Sequence, residues 1–161
     1  MKDDRGVRVY SRRGTDWTGE LPGIVEAAAA IGAENFIVDG ELVSQTPGDF
    51  YALPTAIKKR RVCVVAFDFL HLNGENTRPM MLEDRRVLLE DLLVSNSPIM
   101  FSPAFPDGEA LLEAAEQRGL EGIVSKRKGL RYQSGTCGHW RKTKSAIWVE
   151  ANKDRFEKMR T

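Results

Sequence analysis

Apolar and polar residues alternate with two different periods along this chain, and each change of period marks an element. VRVYS (7–11) alternates every second residue and runs into RRGTD, which predicts a strand and then a turn. In LPGIVEAAAAI (21–31) the spacing becomes helical, with Thr18 as the predicted cap and Pro22 tolerated in the first turn. FIVDGELV (36–43) predicts a strand, or a hairpin if Asp39 and Gly40 form its turn. GDFYALPTAI (48–57) predicts a short interrupted helix, and VCVVAFDFLHL (62–72) a long strand buried on both faces. Leu82, Leu88, Leu89, Leu92 and Leu93 draw one apolar stripe along a helix, with Glu83, Arg86 and Glu90 outside. A second amphipathic helix, 107–118, follows an Asp107 cap. GIVSK and HWRKTK read as strands around a basic loop, and the tail WVEANKDRFEKMRT is charged and helix-prone.

Strands joined by hairpins and single helices, with no regular βαβ repeat, predict an α+β fold with largely antiparallel sheets. The 161 residues are enough to bury a real core, and 42% hydrophobic with 29% charged residues is an ordinary globular composition. Net charge is +1, so nothing global draws the chain to nucleic acid or to an acidic membrane. The distribution is less even. Residues 81–119 hold eight acids against three bases, whereas 121–144 hold one acid, Glu121, and seven bases interleaved with Tyr132 and Trp140. A patch that basic in a balanced chain points to a local phosphate site. Cys63 and Cys137 read as reduced thiols, and Cys137 with His139 lacks the partners of a four-ligand zinc site. The first residues lack an apolar signal core, and no run approaches the ~20 apolar residues of a membrane span, so a soluble intracellular protein is expected.

Four short stretches can carry chemistry. In DGE, Asp39 and Glu41 share one face of an extended chain and can hold a divalent cation or accept ribose hydroxyls, unless the pair D-G is a hairpin turn. Asp68 stands in an otherwise buried strand, so it requires a partner, either an arginine or backbone amides, or a functional one. Phe67 and Phe69 face the other way, to pack in the core or, for one of them, to offer a platform to a planar ring. Glu121 and Lys126 are five apart and face opposite sides of an ideal strand, so a twist or bulge is needed before they can share a site. Trp140, Lys142 and Lys144 share one face of a strand while Arg141 faces away. Two lysines so spaced suit an α-phosphate or a DNA backbone, and equally a solvated surface.

Taken in order, SRRG, FIVDGEL, VAFDFL, EGIVSKR and HWRKTK resemble the nucleotidyltransferase motifs of ATP-dependent DNA ligases, in particular bacterial end-joining ligases and small stand-alone ligase-like proteins, over about residues 5–155. The resemblance implies antiparallel β-sheets flanked by helices around a nucleotide cleft, the nucleotidyltransferase or ATP-grasp-like arrangement, shortened at its N-terminus. Residues 1–147 would be a partial adenylation domain and 148–161 a charged helical tail, with no OB-fold domain following. It also implies the reaction, in which a lysine takes AMP from ATP, passes it to a DNA 5′-phosphate, and a 3′-hydroxyl displaces AMP to seal the strand. Glu41 would hold the ribose, Phe67 would stack on adenine, and Glu121 would bind the catalytic Mg²⁺. Lys142 and Lys144 would grip the α-phosphate with Lys126 near the same phosphates, and Arg12 would touch the DNA backbone. The implied partners are nicked or broken double-stranded DNA and other end-joining or repair proteins, in the bacterial cytoplasm at the nucleoid. The family's nucleophilic lysine lies in a K-x-D-G-x-R motif that this sequence does not contain, and Lys2 is the only lysine before SRRG. The expectation is a ligase adenylation domain without its own catalytic lysine, or else a non-catalytic nucleotide- or DNA-binding remnant.

Overall fold

The long apolar run of the sequence becomes the strand on which the larger sheet is assembled. The computed structural model describes residues 1–45, 53–93 and 97–153, and its chain forms two compact units, Met1–Pro103 with Lys128–Ser134, and Ala104–Arg127 with the chain from Gly135 onward. In the first unit, β1 (Lys2–Asp3), β2 (Gly6–Val7), β3 (Phe36–Ser44), β4 (Val62–Leu72) and β5 (Glu75–Asn76) follow the order β2-β1-β3-β4-β5. All of these pair antiparallel, and β6 (Ile99–Phe101) adds a parallel pairing to β4. Asp39 and Gly40 lie inside β3 and form no hairpin turn. The reason is the length of β4, which pairs β3 from Phe36↔Leu72 to Ser44↔Val62 and so holds the stretch extended. Gly40 is also the residue that fits there, because a Cβ would stand 2.8 Å from Val64 Cγ1 and 3.0 Å from the Val65 carbonyl.

The pairing slips twice. Ile37 faces His71 and Val38 faces Phe69, so Leu70 is extra; Asp39 faces Asp68 and Gly40 faces Ala66, so Phe67 is extra. Each is a β-bulge on β4, which bends the strand and re-aims the unpaired residue. Phe67 and Phe69 therefore part company, contrary to the shared face expected of an ideal strand. Phe69 is fully buried in the core with Ala66, Leu89, Ile24 and Phe36, while Phe67 is only half-buried.

The N-terminal stretch differs from the plain strand expected over 7–11. A tight hairpin pairs Lys2↔Val7 and Asp3↔Gly6, and Tyr10 meets Asp16 in a single bridge. The ladder ends at Val7, and beyond it the Val9 N–H donates to the Thr18 hydroxyl at 3.0 Å. Thr18 is thereby used and does not cap α1 (Pro22–Ala29), whose N-cap is Leu21 with no side-chain bond. Pro22 opens the helix as expected, and Ile24 and Ala28 face the core one turn apart. Lys2 closes the other end, its Nζ donating to the Ala29 and Ile31 carbonyls at 2.9 Å each. In α2 (Leu53–Lys58) Ala56 packs into the core, and the earlier part of the interrupted helix expected over 48–57 lies outside the described residues.

The helix α3 (Leu82–Leu92) brings Arg85 to the carboxylate that the sequence required to be paired. Arg85 Nε donates to Asp68 Oδ1 at 2.6 Å and Nη2 to Oδ2 at 2.9 Å, and the Phe69 N–H donates to Oδ1 at 2.9 Å. An arginine and a backbone amide thus both serve, with Asp68 and Arg85 fully enclosed. Arg85 Nη1 also donates to the Met80 carbonyl at 2.7 Å. Arg86 was expected on the outer face and is instead half-buried. It donates to the Phe67 carbonyl at 3.2 Å and to the Ser102 carbonyl, and its guanidinium lies 4.9 Å from the Phe101 ring. The bulge explains this, since it leaves the carbonyl of an unpaired residue needing a donor.

Part of the basic loop docks on this first unit. The Gly129 N–H donates to the Glu83 carboxylate at 2.9 and 3.1 Å, which holds that carboxyl below its ordinary range. Leu130 offers its carbonyl to Arg85, and the Tyr132 N–H donates to the Arg78 carbonyl at 2.9 Å. The Tyr132 hydroxyl donates to Asp39 Oδ2 at 3.1 Å. Burial first, then the charge and hydrogen bond of Asp39, push the Tyr132 hydroxyl up to about 12.

In the second unit, α4 (Gly108–Gln117) begins at the expected cap, where Asp107 accepts from the Glu109 and Ala110 N–H groups at 3.0 Å. It packs on β7 (Gly122–Lys126), which pairs antiparallel with β8 (Trp140–Lys144). The tail continues as α5 (Ala146–Ala151), capped by the fully buried Ser145, whose hydroxyl accepts from the Trp148 N–H at 3.2 Å. The Ala146 N–H donates to Glu116 of α4 at 2.7 Å, and residues 154–161 lie outside the described residues. No helix among the described residues is long and apolar enough to cross a membrane.

Two outcomes follow for the first unit. Arg85→Met strands Asp68 without its charge partner and lowers unfolding stability by about 3–5 kcal/mol in chemical denaturation, while Asp68→Leu added to it recovers most of the loss. In an ultraviolet pH titration one tyrosine ionises near 12, and Asp39→Asn brings it back toward the ordinary value of 10.0. The folded value lies above the unfolded one, so the Tyr132 contribution to stability is complete below about pH 10 and is lost as pH rises through about 12.

Candidate active site

In the first unit the residues of interest lie on β3, on the bulge of β4 and in the SRRG turn. Glu41 follows Gly40 on β3, stands opposite Val65 and is exposed. Asp39, two residues earlier, is committed to Tyr132, so the two carboxylates of DGE have separate environments. Phe67 is the bulged residue next to Ala66, which faces Gly40, and Arg86 holds its carbonyl. Arg12 is exposed in a turn closed by Ser11, whose carbonyl accepts from the Gly14 N–H at 2.9 Å and whose hydroxyl accepts from the Thr15 N–H at 3.1 Å. Tyr10 and Trp17 flank that turn in the sequence and are 47% and 36% exposed, and Arg12 is presented to solvent.

In the second unit the site is built by Gly122. Its φ is +148°, and a Cβ there would lie 2.1 Å from the Thr143 carbonyl and 2.8 Å from Lys144 Cα. Only glycine permits β8 to come this close. On the β7–β8 ladder Gly122, Val124 and Lys126 oppose Lys144, Lys142 and Trp140, so these six share a face. An ideal strand would turn Glu121 away from that face. The glycine dihedral supplies the twist that the sequence spacing demanded. The Glu121 carboxylate accepts from Lys142 Nζ at 2.7 Å and stands 3.8 Å from Lys144 Nζ. Its backbone is fixed too, because the Ser145 N–H donates to the Glu121 carbonyl at 2.9 Å.

Lys126 sits 3.7 Å from the centre of the Trp140 ring, and Lys144 5.1 Å from that of Trp148. The aromatics among the bases thus hold ammonium groups over their faces. Glu121, Lys142 and Lys144 form one cluster, and Lys126 is held over its tryptophan on the same face of the ladder. This arrangement can bind a phosphate through two lysines, with a carboxylate beside it for a cation. No group of three or more potential metal ligands exists among the described residues. A lone carboxylate fits Mg²⁺ arriving on substrate phosphates, the usual way in which that ion is bound, rather than in an all-protein cage.

Sequence reading missed three contributors. Gly122 was visible in principle, as a glycine between a carboxylate and a β-branched strand. Arg86 and the partnership of Tyr132 with Asp39 carry no local signal, since each depends on a contact far along the chain.

Residues 1–144 match the family described as the ATP dependent DNA ligase domain. The multifunctional non-homologous end joining protein LigD of Pseudomonas aeruginosa is 38% identical over 157 residues, covering 92% of this chain and 19% of that protein. LigD of Mycobacterium bovis is 33% identical over 146 residues, covering 88% and 19%. A solved mycobacterial DNA ligase D complexed with ATP and MES shares the fold with a TM-score of 0.73 at 32% identity, over 88% of this chain and 48% of that one. The chain spans about a fifth of these end-joining proteins and about half of the solved ligase chain. The mixed α+β architecture, the ordered motifs and these matches agree: the chain belongs to the ATP-dependent DNA ligase domain family.

Proposed function

We propose that this chain handles the nucleotide in an ATP-dependent ligase that joins DNA strands during end-joining repair. One observation carries the reading: two lysines two residues apart on β8, drawn together by a carboxylate that a glycine dihedral turns toward them. In phosphoryl transfer the work of a protein is positioning and charge neutralisation, and this cluster is suited to both. Lys142 and Lys144 bind the α-phosphate, with Lys126 near the same phosphates. Glu121 accepts the Mg²⁺ that accompanies ATP, an ion that supplies charge neutralisation on the phosphate oxygens.

Phe67, lifted out of register by its bulge and anchored through its carbonyl, stacks on adenine. Glu41 accepts the ribose hydroxyls from β3. Arg12, exposed in its turn, contacts the backbone phosphates of nicked or broken duplex DNA. Other end-joining or repair proteins are the partners this reading implies, in the bacterial cytoplasm. None of the residues read here is assigned as the lysine that carries AMP. Lys2 is held by two carbonyls at the end of α1, which supports leaving it out of that role.

Calorimetry and intact mass test the reading together. Lys142→Ala with Lys144→Ala removes two charge-assisted phosphate contacts and lowers ATP affinity by roughly a hundredfold or more. Incubation of the unaltered chain with ATP and Mg²⁺ adds no AMP to its mass. Unchanged affinity in the double variant would contradict the phosphate site, and AMP found on Lys2 would contradict the role given to that residue.

A further inference from the structure

We infer that Arg86 is a positioning residue that aims the Phe67 ring for adenine, through a clamp on the backbone of the β4 bulge. The inference rests on the reading of Phe67 as the adenine platform and adds the group that holds it. A bulge takes one residue of a strand out of the ladder, and the direction of its side chain then depends on what fixes its peptide group. The β3 register passes from Asp39↔Asp68 to Gly40↔Ala66 and steps over Phe67. Arg86 supplies the constraint from α3. Its Nη1 donates to the Phe67 carbonyl at 3.2 Å, and its Nη2 donates to the Ser102 carbonyl just beyond β6. The Ser102 N–H in turn donates to the Ala66 carbonyl at 2.8 Å.

These bonds close a ring. Ala66 and Phe67, neighbours in the bulge, are both tied to Ser102, one directly and one through the guanidinium. Consecutive carbonyls of a regular strand point to opposite neighbours, so holding both of these at the end of β6 preserves the bulge. It also opposes a one-residue slip, which would turn Phe67 to the other face of the sheet. The clamp has a fixed base. Arg85, the preceding residue of α3, is held on Asp68 by bonds of 2.6 and 2.9 Å. The Arg86 guanidinium also lies 4.9 Å from the centre of the Phe101 ring, which steadies its plane. A planar fork with separate donors serves two carbonyls at once, whereas a lysine ammonium reaches out from a single point.

Calorimetry with ATP and with inorganic tripolyphosphate tests this on the full chain, on Phe67→Ala, on Arg86→Gln and on the two combined. Tripolyphosphate carries no base, so its affinity does not register the platform. Phe67→Ala weakens ATP binding by about tenfold, as expected for the loss of one stacked base. Arg86→Gln weakens it by about fivefold, and the combined variant loses no more than the roughly tenfold of Phe67→Ala alone, because Arg86 acts through that ring. Tripolyphosphate affinity changes by less than about twofold throughout. Arg86→Lys keeps the cation and one donor, recovers part of the ATP loss, and replaces Arg86→Gln in the cycle if that variant does not fold. Losses that multiply in the combined variant, or a fall in tripolyphosphate affinity as large as that for ATP, would mark a general structural role and overturn the inference. Unchanged ATP binding in both Arg86 variants, with Phe67→Ala still weakened, would overturn it and leave the adenine reading standing. If Phe67→Ala binds ATP as well as the unaltered chain, or if the unaltered chain binds none, the adenine reading fails and this inference with it.

Discussion

Asp68 and Arg85 are opposite charges sealed from water, and the larger sheet takes its form around them. A carboxylate inside a β-strand is costly unless its lone pairs are all used, and here a bidentate guanidinium and the Phe69 amide use them. That demand fixes α3 against β4. It also places Arg85 where it reaches the Leu130 carbonyl and lies 5.7 Å from the Tyr132 ring, so the segment Lys128–Ser134 docks on the same structure. Asp39 faces Asp68 across the ladder, a like-charge pairing that is tolerable because Tyr132 bonds one carboxylate and Arg85 the other. Beside this pair the strand bulges at Phe67, and Arg86, the next residue of α3, takes the carbonyl left over. The helix that satisfies the buried charge thus also anchors the bulged Phe67 through its carbonyl.

The second unit depends on a backbone constraint. With any residue but glycine at 122, β7 could not lie as close to Thr143 and Lys144, and the turn that points Glu121 at the two lysines would be lost. Charge here is arranged rather than abundant. The net charge of the chain is +1, and its most basic segment divides its cations among a carboxylate, two tryptophan faces and solvent. A family whose chemistry is phosphoryl transfer requires charges placed at fixed points, and a high overall charge would not provide that.

Much of this was legible in the sequence where the signal is local. The bounds of β4 match the apolar run, Asp107 caps α4, and β7 and β8 fall on GIVSK and WRKTK. The requirement for a partner to Asp68 followed from burial alone, and Arg85 met it. What stayed hidden depends on pairing between distant segments. Bulges at Leu70 and Phe67 arise from register with β3, which no window of β4 contains. Thr18 has the chemistry of a helix cap, but Val9 claimed its hydroxyl first. Asp39-Gly40 has the composition of a hairpin turn and was overruled by the length of the partner strand. Around β7 and β8 the motifs drew attention to Glu121, Lys142 and Lys144, while the reason that Glu121 can reach Lys142 lay in one dihedral angle.

The central claim is that Gly122 turns Glu121 toward Lys142 and Lys144 and so builds a phosphate site on β7 and β8. Calorimetric titration of inorganic tripolyphosphate into the unaltered chain and into Gly122→Ala, each checked for folding by circular dichroism, tests it directly. The account predicts binding to the unaltered chain that weakens about tenfold in Gly122→Ala. Unchanged affinity in that variant, with the fold retained, would contradict it.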